Sequence, residues 1–297
     1  MGVHSVRVTD RTGEGMGRKD QGASARAILA AATVAILGLA PAASSAAATA
    51  PRPATFVGVF GLPPEQANNW PFAVTRASPE DVFRLQGTGL RALVALTGAK
   101  RNYSDAKGCF QLALWKQALD RHDPARIQSL VDQNVLRGLY AIDEPHDWAC
   151  GPSFEDIDAA CAYANQKWPN LPCGVNAPPA WLKPGAARLK HLGFLFFQYA
   201  NNRGDPGAWI KKQLADAAWF KGDIWLSIQL LSPRMSVGEL RAAALRFCAE
   251  RPAGLLMWKW SEEWFSQAGV ATAMQDVANA CGSPISPAFR APQPGAH

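Results

Sequence analysis

Seven continuous apolar runs limit what this chain can fold into. They cover 55–60, 90–96, 135–142, 171–176, 192–199, 223–231 and 253–258, and each ends at, or within two residues of, Gly, Pro, Asn or a charged residue. None alternates apolar with polar side chains, as a strand with one wet face would. A strand that is apolar throughout is buried on both faces, the condition of a parallel sheet covered by helices.

The segments between the runs carry helix signals. Ser78-Pro79-Glu80-Asp81 predicts a helix start, with Gly87 closing it. A helix over 110–119 would place Leu112, Trp115 and Leu119 on one face, and another is expected from Asp123-Pro124 to Asp132. Ser153 and Asp156 cap a stripe of Ile157, Ala160, Cys161, Ala164 and Trp168. Asp205-Pro206 opens a further helix, and Ser236 with Glu239 forms a capping box for one that runs to Glu250. Strand and helix therefore alternate over a length that suits a (β/α)8 TIM barrel, which takes roughly 250 residues. With seven strands legible, either an eighth lies between Gly98 and Val135 or the barrel is irregular. The competitor, an open doubly wound sheet, needs a Gly-rich phosphate loop after its first strand. Phe60-Gly61-Leu62-Pro63-Pro64 is not one.

The first fifty residues stand apart from this pattern. Arg18, Lys19 and Arg26 precede an apolar run over 27–40, then Pro41 and a tract of small residues to Ala50. That order is the one of a secretory signal, and the apolar run is shorter than the roughly 20 residues of a membrane span. The expected organisation is a leader over 1–50, a barrel domain over 51–282 and a Pro-rich flexible tail over 283–297. The leader holds five of the 30 basic and three of the 24 acidic residues, which leaves +4 for the remainder. A charge that mild, with no basic run interleaved with aromatics, argues against a nucleic-acid partner.

All six cysteines follow the leader. An even count in an exported chain favours disulfides, and the expected pairs are Cys109–Cys150, Cys161–Cys173 and Cys248–Cys281. No CxxC spacing or ligand-like histidine pair occurs, so neither a metal nor a cofactor is expected.

Chemistry in such barrels gathers at the carboxyl ends of the strands. The run 135–142 turns there into Asp143-Glu144-Pro145-His146-Asp147-Trp148, two adjacent carboxylates beside an imidazole and an indole. The last run ends in Lys259, Trp260, Glu262 and Glu263, and others end in Asn176, in Gln198 with Tyr199, and near Gln229. Aromatic rings stack on sugar faces while amides and carboxylates bind hydroxyls. Glycoside hydrolysis needs two carboxyl groups with different protonation states. Glu144 is the expected acid/base, since an apolar strand end and an adjacent Asp143 both raise a carboxyl pKa. Its partner is expected among Asp143, Glu262 and Glu263. If the pleat persists, Asp143 points to the opposite side of the strand and has a structural role. The Glu262-Glu263 pair has an equally good reading as the exposed first turn of a helix that Ser261 caps. His146, Trp148, Asn176, Gln198, Tyr199, Gln229, Lys259 and Trp260 are the expected substrate-binding residues.

The Asp-Glu-Pro-His segment at 143–146, the Trp-Pro-x-Leu-Pro segment at 168–172 and the strand ending in Gln198-Tyr199 resemble secreted TIM-barrel proteins of the glycoside-hydrolase-like superfamily, across about 55–265. The resemblance implies a sugar-active barrel with Glu144 at the acidic strand end. Many members carry Asn-Glu where this chain has Asp143-Glu144. Two functions are expected to compete: a secreted, monomeric glycoside hydrolase acting on a polysaccharide, and a non-catalytic carbohydrate-binding barrel at the cell surface.

Overall fold

Eight parallel strands close into a barrel in chain order. A computed structural model describes residues 54–285 and 289; the expected leader, and most of the expected tail, lie outside the described residues. The strands are β1 (Phe56–Phe60), β2 (Val74–Ala77), β3 (Arg91–Val94), β4 (Leu136–Asp143), β5 (Cys173–Asn176), β6 (Phe194–Tyr199), β7 (Asp223–Gln229) and β8 (Gly254–Trp258). β1 pairs with both β2 and β8, so no strand edge remains open.

The eighth strand is β2, between the first and second apolar runs and not between Gly98 and Val135. Its four residues, Val-Thr-Arg-Ala, are half polar. Thr75 turns its hydroxyl onto the backbone oxygen of Val59 at 2.7 Å, so its polarity is absorbed locally. The helix expected over 78–87 contracts to a single 3-10 turn, Val82–Leu85. Ser78 does receive the Asp81 N–H at 3.1 Å, as a cap should. The chain must nonetheless turn back into β3 within a few residues, through Gly87 and Gly89 at positive φ.

The helices expected from caps at Asp123, Ser153, Asp205 and Ser236 all form. α1 is Leu112–Leu119, and α2 is Pro124–Asp132 with Asp123 accepting the Ala125 N–H. α3 (Phe154–Lys167) starts in the Ser153–Asp156 capping box. A short α4 (Pro179–Leu182) follows β5, and α5 (Pro206–Asp216) starts at Asp205. α6 (Val237–Ala249) starts in the Ser236–Glu239 box, ahead of α7 (Glu262–Phe265) and α8 (Val270–Cys281). Each longer helix lays its apolar stripe on the outside of the barrel.

The barrel interior is a separate aromatic core of Phe60, Tyr140, Phe194, Phe196 and Trp225 with Val74, Leu93 and Leu256. Rings this large fit because small residues face them. A Cβ at Gly174 would land on the Phe194 ring and one at Gly254 on the Trp225 ring. The lower barrel is thus filled by side chains, and ligand sites in barrels of this kind lie at the carboxyl ends of the strands.

All three expected disulfides form. Cys109–Cys150 ties the loop after β3 to the loop after β4, Cys161–Cys173 joins α3 to β5, and Cys248–Cys281 joins α6 to α8. Ser283, at the start of the expected tail, is buried and accepts the Val57 N–H at 3.0 Å. Among the described residues no helix is long and apolar enough to cross a membrane.

Candidate active site at the barrel mouth

Strand alternation decides which side chains reach the mouth. In β6 and β7 the inward positions climb from Phe194 and Phe196 to Gln198, and from Trp225 and Ser227 to Gln229. Register pairs Phe60 with Arg76, Asp143 with Asn176, and Gln229 with Trp258. The resulting belt, Phe60, Arg76, Asp143, Asn176, Gln198, Gln229 and Trp258, is aromatic on one side and polar on the other.

Asp143 enters this belt through an irregularity. The pairing of β4 with β5 shifts register between Tyr140 and Ile142. Ala141 and Ile142 consequently both pack in the helical layer, and Asp143 follows Tyr140 to the inside. Its Oδ1 accepts the Tyr140 hydroxyl at 2.6 Å and the Asn176 amide at 2.9 Å. Burial and the neighbouring carboxylate push the Tyr140 phenol well above its ordinary pKa, so it stays a donor. The Arg76 guanidinium lies 5.5 Å from the Tyr140 ring centroid.

Glu144 leaves the strand in a left-handed conformation, with φ 44° and ψ 52°. For a residue other than glycine this costs on the order of 1–3 kcal/mol, and such strain gathers at functional sites. The Glu144 N–H still bonds the Asn176 oxygen at 3.0 Å, so the turn is fixed against β5. The half-buried side chain enters a narrow cleft of about 50 Å3 lined by His146, Asn176, Gln198 and Arg203, among others. Burial raises its carboxyl pKa, Asp143 and Asp147 raise it further, and Arg203 opposes them. Glu144 is therefore the mouth carboxyl disposed to hold a proton.

Two buried polar atoms in this cleft have no hydrogen-bond partner: Nδ1 of His146 and Nε2 of Gln198. Ser227 Oγ, one position below Gln229 on the inward face of β7, also has none. Interiors satisfy nearly all such groups, so these atoms are open to a polar ligand or to water. Burial lowers the His146 pKa, although Asp147 opposes the shift, which favours a neutral ring. A wider cleft of about 350 Å3 adjoins the first, shares Gln198 and Arg203 with it, and reaches Gln229.

The other expected residues lie elsewhere. Tyr199 is 3% exposed, packs on Trp209 and Phe247 outside the barrel wall, and donates to the Gly204 oxygen at 2.7 Å. Trp148 stacks on Tyr103, has Lys100 Nζ 3.9 Å above its ring, and donates to the Asp143 oxygen at 3.1 Å. It braces the β4 turn. Trp260 is wedged between Trp70 and Phe265, and Lys259 is exposed. Glu262 and Glu263 form the exposed first turn of α7 under the Ser261 cap, and Glu263 pairs with Arg234 at 2.9 Å. The structure thus brings together Asp143, Glu144, His146, Asn176, Gln198 and Gln229. Sequence reasoning missed Arg76, Tyr140, Trp258 and Arg203. For Tyr140 a signal existed, since it lies three residues before Asp143 on one strand.

The fold is similar to an endo-beta-1,4-mannanase from Thermotoga petrophila, with TM-score 0.55 and 9% identity, covering 77% of this chain and 76% of that one. It is also similar to the catalytic domain of the major endoglucanase from Xanthomonas campestris pv. campestris, with TM-score 0.51 and 11% identity over 77% and 95% of the two chains. At such identities the likeness establishes the barrel architecture, which these two proteins share. No protein-family model and no curated protein sequence matches the chain.

Proposed function

We propose that the protein acts outside the cytoplasm as a glycoside hydrolase on a polysaccharide, with Glu144 as the proton donor. The observation that carries this reading is the placement of Glu144. Its carboxyl is half buried at the carboxyl end of β4, raised in pKa by burial and by Asp143 and Asp147, and in the same cleft as the unmet polar atoms of His146 and Gln198. Its proton would pass to the glycosidic oxygen as the bond to the anomeric carbon breaks. Asp143, fixed by Tyr140 and Asn176, would face the positive charge that develops on the sugar. Water then adds to the anomeric carbon and returns a proton to Glu144. The three disulfides and the signal-like leader support an extracytoplasmic setting.

A second reading, a carbohydrate-binding barrel without hydrolysis, draws on the far side of the mouth. β7 and β8 end in Gln229 and Trp258, so no carboxylate of the belt opposes β4. Aryl glycosides of graded leaving-group acidity separate the two. A proton donor at Glu144 predicts that Glu144→Gln loses activity on poor leaving groups and keeps it on those that need no proton. Absence of turnover on every aryl glycoside, with saccharide binding intact, would establish the binding barrel instead.

A further inference from the structure

We propose that a second cleft on the same rim binds an oxyanion, a carboxylate or a sulfate ester, carried by the saccharide chain. This inference rests on the saccharide reading of the mouth and names the class of polymer. The cleft encloses about 460 Å3 between the segments that follow β2 and β3. That lies within the roughly 300–1,000 Å3 of small-molecule sites.

Its charge is one-sided. Arg76, Arg101 and Arg121 line it with His122, and Glu80 is the one carboxylate on its wall. Among the described residues these three arginines form no ion pair, whereas Arg84, Arg188, Arg234 and Arg241 each find a carboxylate. Three guanidinium groups that line one cleft without a paired carboxylate leave it open to an anion. The guanidinium fork suits planar carboxylates and tetrahedral sulfates alike.

A second observation is independent of charge. Thr97 lines the cleft, is 2% exposed, and its hydroxyl has no hydrogen-bond partner. Arg76 Nε is likewise buried without a partner. Unmet buried groups on a cavity wall call for a polar occupant. The wall around them is fixed: His122 Nε2 meets the Leu96 oxygen at 2.7 Å and the Asn102 amide donates to the Thr97 oxygen at 3.0 Å.

Arg76 links this cleft to the mouth. It stands in the belt beside Tyr140 and also lines the cationic cleft. A saccharide with one residue in the mouth would therefore lay a neighbouring residue toward Arg101 and Arg121.

Calorimetric titration tests this with oligogalacturonides, their carboxyl-reduced neutral counterparts, sulfated galactan oligosaccharides and sodium sulfate alone. The variants are Arg101→Glu/Arg121→Glu, two exposed positions, and Thr97→Val. Wild type should hold one acidic series at least about tenfold tighter than the neutral one, the scale of one charge-assisted hydrogen bond. Charge reversal should abolish that preference and leave the neutral series unchanged, and added salt should shrink it. Thr97→Val should weaken the acidic series alone. Equal affinity for acidic and neutral chains overturns the oxyanion site and leaves the saccharide mouth intact. Failure of every saccharide to bind while sodium sulfate still does overturns the saccharide reading together with this one.

Discussion

Replacing Tyr140 by phenylalanine removes one oxygen from the centre of the mouth. The ring keeps its edge contacts with Phe60 and Phe196, at centroid distances of 6.3 and 5.5 Å, so no cavity opens. What disappears is the 2.6 Å hydrogen bond to Asp143 Oδ1, while the Asn176 bond to the same oxygen remains. A hydrogen bond to a charged group contributes about 1.5–3 kcal/mol. Asp143 is only partly buried, so the lower end applies and the expected loss is about 1.5 kcal/mol. Urea denaturation at neutral pH measures it as a lower midpoint at unchanged slope. A double-mutant cycle with Asp143→Ala isolates the pair. In that background the Tyr140 hydroxyl has already lost its acceptor, so Tyr140→Phe should cost nothing or stabilise. Equal losses in the two backgrounds, within about 0.5 kcal/mol, refute the clamp.

Gly174→Ala should destabilise by about 1–3 kcal/mol, since its methyl meets the buried Phe194 ring, and Phe194→Leu should restore part of the loss in the double variant. Removing the Cys161–Cys173 bridge, which spans 12 residues, should lower stability by about 3 kcal/mol in the same assay. A proton donor must be protonated to act, so hydrolysis should fall as pH rises through the elevated pKa of Glu144. Asp147→Asn removes a charge that raises this pKa and should move the alkaline limb downward; Arg203→Gln removes a charge that lowers it and should move the limb upward. Limbs that stay in place in both variants remove Glu144 from the profile.

The barrel was legible because its strands are apolar on both faces and its helices announce their caps. Ser153 with Asp156, Ser236 with Glu239, and Asp123 before Pro124 each mark a helix that forms. β2 was illegible for a physical reason: four residues with Thr75 and Arg76 in the middle have too little apolar content to read as a buried strand. The segment at Ser78 misled in the opposite direction, because a cap signals only that a helix can start. Within the mouth, Glu144 and Asn176 could be placed from strand ends alone. The inward turn of Asp143 could not, because it depends on a register shift against β5 that leaves no mark in the residues of β4. Nor could the outward turn of Tyr199, which follows once Gln198 is known to take the inward position.

Release of reducing ends from a panel of neutral and acidic polysaccharides, by wild type and by Glu144→Gln, reports directly on the role of Glu144. A proton donor at Glu144 predicts cleavage of at least one polymer by wild type. It also predicts a loss of about 100-fold or more in Glu144→Gln, the usual scale of general-acid catalysis, with binding of the same polymer retained. Equal release by the two proteins would contradict it.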